Sequence, residues 1–247
     1  DAVVLFSGGQ DSTTCLYHAV KQHGHDKVLA LTIYYKQRHE FEVRASKDIA
    51  ELAEVDRVVH SLTVLAAVAD SALVDSTRPI EEGGVPDREM QGGLPTSFVP
   101  GRNLMFLGLA SAIAVKHGAR IIYTGTCQTD YSGYPDCRRE FIDAMEQAAT
   151  LAMPSSSGPI EIRTPLMYLT KAETVQMALD LGKECWLAIG TSVTCYEGER
   201  PGCGECPACK LRAKGFEEVG LADPAQPTTS NSPVIGYEEA TDETDMH

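Results

Sequence analysis

An apolar run that stops abruptly at a serine and two glycines constrains this chain more than any other feature. Residues 2–6 read Ala-Val-Val-Leu-Phe, and Ser7, Gly8, Gly9, Gln10, Asp11, Ser12 and Thr13 follow, with a helix-compatible stretch over 12–23. A short apolar run bounded by glycine fits a buried parallel strand that ends in a tight turn. Strand, glycine turn and helix in that order aim backbone N–H groups and the positive end of a helix dipole at one anion site. Gly8 and Gly9 permit close backbone approach, Ser7, Ser12 and Thr13 offer hydroxyls, and Asp11 can hold Mg2+ against phosphates. A bare Ser-Gly-Gly could be an ordinary turn capped by Ser12; the full segment after an apolar strand weighs against that. The loop lacks the lysine of a Walker A motif, so it does not suggest γ-phosphate transfer of the kinase kind.

Beyond the loop, apolar runs alternate with helix-compatible stretches. Strands are expected over 28–34, 57–61, 120–124 and 160–164, and helices over 40–53, 104–117 and 138–152. This alternation predicts an α/β fold with an open, mainly parallel sheet, helices on both faces and right-handed crossovers. Thr170 and Glu173 form a capping box that opens a helix running to about Leu181, and 207–219 can form a terminal helix. Residues 62–98, rich in glycine and proline, interrupt the rhythm and suggest a substrate-covering lid or insert. The expected division is an ATP-binding domain over 1–184, a small zinc-binding helical subdomain over 185–221, and an acidic tail over 222–247 that is disordered or docked on a partner.

The net charge of -14 opposes a broad nucleic-acid footprint, so small anions must be captured by local dipoles, metal ions and a few placed cations. No run of about 18 apolar residues and no basic, cleavable leader is evident, so a soluble, cytoplasmic protein without membrane contact is expected. Cys195, Cys203, Cys206 and Cys209 cluster near the C-terminus, and Gly202, Gly204 and Pro207 supply turns between them. Four thiolates within such a span read as a closed, structural Zn2+ site and not as disulfides. An iron–sulfur cluster or a redox pair would use the same ligands and stays open. Cys15, Cys127, Cys137 and Cys185 are expected to be buried or partly buried thiols. His18, His23, His25, His39, His60 and His117 lack metal-ligand spacing.

The segment from Phe6 to Thr13 resembles the signature of the ATP pyrophosphatase, or PP-loop, superfamily. That resemblance implies ATP binding through Phe6, Ser7, Gly8, Gly9, Gln10, Asp11, Ser12 and Thr13, with cleavage between the α and β phosphates. Three more segments narrow it: FVPGRNLMFL from Phe98, TGTCQTDYSGYPDCRREF from Thr124, and TPLMYLTKAE from Thr164, all ahead of the cysteine cluster. In this order they resemble the 7-cyano-7-deazaguanine synthase family of queuosine biosynthesis over nearly all of residues 1 to about 222. The implied substrates are 7-carboxy-7-deazaguanine, ammonium and ATP, the implied cofactors Mg2+ and structural Zn2+, and the implied assembly a homodimer. Asp11, Ser12, Arg102 and Lys171 are the catalytic candidates, Arg102 as a clamp on phosphate or carboxylate. Asp130 or Asp136 could accept hydrogen bonds from a guanine-like edge, Tyr131 or Tyr134 could stack on the base, and Arg138 could pair with an anionic group. Another PP-loop amidating ligase or a tRNA-modifying enzyme is the alternative, although a tRNA substrate would call for a basic surface.

Overall fold

A computed structural model describes residues 1–37, 41–75, 77–80, 94–129 and 133–226. Its centre is a five-stranded sheet of β1 (Ala2–Leu5), β2 (Val28–Tyr34), β3 (Asp56–Ser61), β4 (Ile121–Tyr123) and β5 (Glu161–Arg163), in the order β3-β2-β1-β4-β5 with every pair parallel. The expected parallel α/β sheet is thus present, and all five expected strands are found within a residue or so of their predicted bounds.

Alternation along β1 sorts side chains to opposite faces. Ala2, Val4 and Phe6 join a core with α1 (Gln10–His23), α2 (Phe41–Leu52), α6 (Lys171–Asp180), α7 (Lys183–Thr191) and Phe216 of α8 (Pro207–Val219). Val3 joins the core on the other face, with Leu107 and Ala110 of α4 (Arg102–Lys116) and Ile142 and Met145 of α5 (Arg139–Ala152). The result is a helix–sheet–helix sandwich. Among the described residues no helix is long and apolar enough to cross a membrane.

Within the interrupted stretch, the short helix α3 (Val64–Val68) places Leu65 in a third core. Leu73 and Val99 lie in that core with Cys195, Cys206 and Ala208, which ties the insert to the cysteine cluster. Residues 76 and 81–93 of the expected lid lie outside the described residues, as do 227–247 of the tail. Helix α7 has no counterpart in the sequence reading. The expected boundary between 184 and 185 falls inside it, and Cys185, Trp186 and Ile189 are buried in the first core.

β1 is where the strand order reverses. From β1 the chain steps to β2 and β3 on one side, then returns to β4 and β5 on the other. A crevice opens at the carboxyl ends of strands that part in this way, and ligands of open α/β sheets bind there. The glycine loop leaves β1 at that point.

Candidate active site at the strand-order reversal

The loop is held in shape by its own hydroxyls. Ser12 Oγ donates to the Gly9 carbonyl at 3.1 Å and Thr13 Oγ1 to the same oxygen at 2.9 Å, while Gly9 N–H donates to Ser7 Oγ at 3.2 Å. From outside, Val193 N–H donates to the Gly8 carbonyl at 3.0 Å. Gly8 has φ +94°, and a Cβ there would lie 2.5 Å from the Glu42 carbonyl oxygen and 2.6 Å from Ser46 N. Only glycine satisfies both the dihedral and the approach of α2. Gly8→Ala is therefore expected to destabilise by about 2–4 kcal/mol, lowering the melting midpoint by roughly 5–12 °C. A thermal melt within 2 °C of wild type would contradict the packing described.

A cavity of about 310 Å³ lies over the loop, bounded by Phe6, Ser7, Gly9, Gln10, Asp11 and Ser12 on one side. Gln10 is 1% exposed, yet neither its amide oxygen nor its amide nitrogen has a hydrogen-bond partner, and Thr126 Oγ1, which lines the same cavity, is similarly orphaned. Buried polar groups are nearly always satisfied. Two orphans lining one cavity fit groups that a polar ligand would satisfy.

Lys171, at the first position of α6, reaches Asp11 from 160 residues away in sequence. Its Nζ lies 2.8 Å from both carboxylate oxygens. The capping box supports this placement: Thr170 Oγ1 accepts from Glu173 N–H at 3.2 Å, and Glu173 Oε2 accepts from Thr170 N–H at 2.7 Å. Gly215 of α8 makes room for the lysine stem, because a Cβ there would sit 2.6 Å from Lys171 Cγ.

Arg102 lines the same cavity, half-buried at the start of α4. Burial opposes its charge, but Tyr35, Tyr134, Cys137 and Asp136 together hold the guanidinium's pKa above its ordinary range. Burial pushes the Glu42 carboxyl up to about 7 against the pull of Arg102. Tyr134 lines the same wall, its hydroxyl 2.7 Å from Ser97 Oγ and its ring tilted against Phe98.

Not every predicted substrate residue reaches the cavity. Asp136 is buried behind the wall, where its carboxylate accepts from Asn103 N–H at 3.2 Å, and burial raises its pKa. Arg138 sits at the N-cap of α5, away from the cavity lining. Asp130 and Tyr131 lie outside the described residues.

The four cysteines converge beside this wall. The Sγ atoms of Cys195, Cys203, Cys206 and Cys209 all lie within 4.8 Å of one another. A tetrahedral ion with bonds of about 2.3 Å needs sulfurs about 3.8 Å apart, so the cluster is of the right size for one ion. Backbone N–H groups of Tyr196 and Cys203 point at Cys206 Sγ and Cys195 Sγ, each at 3.5 Å, as donors that would stabilise thiolate charge.

Comparison with known proteins agrees with this geometry. A family model described as queuosine biosynthesis protein QueC matches residues 1–220. The chain belongs to the QueC family. Among its relatives, the 7-cyano-7-deazaguanine synthase of Chromobacterium violaceum is 50% identical over 223 residues, covering 90% of this chain and 92% of that one. The enzyme of the same name from Bacillus subtilis is 48% identical over 218 residues, covering 88% and 94%. A solved 4-thiouridine synthetase–RNA complex with bound ATP overlays at a TM-score of 0.45 with 19% identity, covering 89% of this chain and 50% of that one.

Sequence reasoning missed several residues that the folded chain brings to the cavity, notably Tyr35, Glu42, Asn103, Thr194, Tyr196 and Arg212. Asn103 sits inside a segment already singled out, Arg212 within the expected terminal helix over 207–219, and Tyr196 directly follows a cysteine of the cluster. Nothing local marks Glu42, whose place depends on α2 folding back over Gly8.

Proposed function

We propose that the chain converts 7-carboxy-7-deazaguanine and ammonia into 7-cyano-7-deazaguanine at the expense of ATP. The observation that carries this reading is the Lys171–Asp11 pair at the mouth of the glycine loop, at the strand-order reversal of a QueC-family chain. A cation and a carboxylate held together beside a phosphate cradle suit the in-line displacement of pyrophosphate.

In the first step a substrate carboxylate oxygen attacks the α-phosphorus and pyrophosphate leaves, giving an acyl adenylate. Ammonia then adds to the acyl carbon, AMP leaves and a proton is lost, which yields the amide. The amide oxygen attacks the α-phosphorus of a second ATP and displaces a second pyrophosphate, and loss of AMP with the two nitrogen-bound protons gives the nitrile. The backbone amides of the loop and Ser12 would cradle the phosphates, Gln10 would gain the hydrogen bonds it lacks, and Lys171 would balance charge on the leaving group. Arg102 would hold the substrate carboxylate, since a planar guanidinium presents two parallel donors to two oxygens. Tyr134 would flank the deazapurine, while Asp136 would act from behind the wall by orienting Asn103.

Asp11 fits a Mg2+ ion, which commonly takes one or two carboxylates together with substrate phosphates. Bound there, the ion would offset phosphate charge. The four-cysteine cluster fits Zn2+, a closed all-sulfur set with no position for water, so its contribution is to folding. From the family likeness we also read the working form as a cytoplasmic homodimer acting on free small molecules.

Purified protein with Mg2+-ATP, ammonium and 7-carboxy-7-deazaguanine is expected to form the nitrile by chromatography. ATP turnover that ignores the carboxylate, or that requires RNA, would overturn the assignment.

A further inference from the structure

Arg212 lines the nucleotide cavity, and a cavity arginine is ordinarily taken for a phosphate clamp. Its hydrogen bonds speak against that. Nε and Nη2 donate to the two Asp223 oxygens at 2.7 and 2.8 Å, and Nη2 also donates to the Ile189 carbonyl at 3.1 Å. Nη1 donates to Ser192 Oγ at 2.9 Å and to Thr194 Oγ1 at 3.1 Å. A guanidinium has five N–H donors, and all are engaged without any ligand. The Arg212 and Asp223 side chains are 6% and 8% exposed, so the pair is sealed from water.

The bonds lead to the phosphate loop. Thr194 Oγ1, which accepts from Arg212, also accepts from the N–H of Gln10, the first residue of α1, at 3.5 Å. One residue earlier, Val193 N–H holds the Gly8 carbonyl. Segment 192–194 is thus the outer brace of the loop, and Arg212 fixes that brace. Asp223 in turn supplies the charge that lets the guanidinium stay buried. Its Oδ1 accepts from Ala225 N–H at 2.9 Å, and Gly190 leaves room for Pro224, since a Cβ there would lie 3.2 Å from the Pro224 carbonyl oxygen.

We infer that Asp223 is a positioning residue for the nucleotide loop, acting through Arg212 and Thr194. It lies past the 1–220 stretch that the family model matches, in a segment whose composition alone reads as tail. The inference rests on the proposed function only in taking the loop to bind ATP. Asp223 keeps the brace in register with Gly8 and Gln10, so that the loop's amides meet the phosphates already aligned. Loss of the carboxylate leaves a buried guanidinium uncompensated beside the loop, and the brace loosens.

The test is calorimetric ATP binding with Mg2+, alongside steady-state kinetics, on the full chain. Asp223→Asn is expected to raise the Kd and KM for ATP about tenfold, with metal content and the KM for the deazapurine unchanged. Thr194→Val, which leaves the Arg212–Asp223 pair whole, should raise Kd about threefold, and Thr194→Ser should recover most of that loss. This pair of variants carries the test if Asp223→Asn does not fold. An unchanged or tighter Kd in Asp223→Asn, or equal Kd values for Thr194→Val and Thr194→Ser, overturns the inference. A wild-type chain that binds no ATP overturns instead the reading of the loop on which it rests.

Discussion

Asp11→Asn is expected to lower kcat at least about a hundredfold while leaving the fold and the metal content of the purified chain unchanged. The Asp11 side chain is 29% exposed at the cavity and meets Lys171 through both oxygens, so the substitution keeps the shape of the site and removes only charge. Without that charge Lys171 loses its ion pair with Asp11, and the phosphates lose the carboxylate suited to Mg2+. Both losses act where charge develops on the departing pyrophosphate, so kcat falls more than ATP affinity. Lys171→Ala should act in the same direction, and the double variant should be little worse than either single one, because the pair works as a unit. Steady-state kinetics on the three variants checks this. A kcat within threefold of wild type in Asp11→Asn would remove the loop from the chemistry.

Cys206→Ser is expected to fail differently, by losing metal and soluble fold together. Cys206 is 3% exposed and shares the third core with Tyr35, Leu73, Val99 and Ala208. Tyr35 also lines the cavity over the loop, so the cysteine cluster and the cavity wall are one packed body. Structural zinc contributes on the order of 10 kcal/mol to the folding of small cysteine sites, as much as the whole stability of many domains. Chelation of the wild-type chain should likewise lower the melting midpoint by more than about 10 °C. Elemental analysis with a thermal melt reads both effects. A soluble, active, zinc-free variant would show that the sulfurs are spectators.

How much of this could be read from the chain depends on the range of the interaction. The parallel sheet, the loop and the capping box are written in neighbouring residues, and each was legible. Ala2–Leu5 is apolar on both faces because helices cover both, and Thr170 and Glu173 are three apart because that spacing closes the cap. Helix α7 escaped because its residues 185–189, Cys-Trp-Leu-Ala-Ile, are apolar on nearly all sides and follow Gly182 without a side-chain cap, so no amphipathic stripe announces it. At the site, Lys171 was legible as a candidate but its contact with Asp11 was not, since nothing local encodes a contact between residues 160 positions apart. The arginines within the segment that starts at Thr124 show the same limit: Arg138 stays off the cavity lining, while neighbouring Arg139 engages Asp143 and Thr164. Glu42, Arg212 and Asp223 draw their places from the packing of α2 and α8 against the loop, which only the folded chain displays.

The central claim is that substrate oxygen attacks the α-phosphorus of ATP, and an isotope decides it. The protein is given 7-carboxy-7-deazaguanine with both carboxylate oxygens labelled as 18O, together with ATP and ammonium, and the nucleotide and phosphate products are weighed by mass spectrometry. The account predicts two AMP for each nitrile formed, each AMP carrying one 18O, and unlabelled pyrophosphate. Label in inorganic phosphate with ADP as the nucleotide product would place the attack at the γ-phosphorus and contradict it.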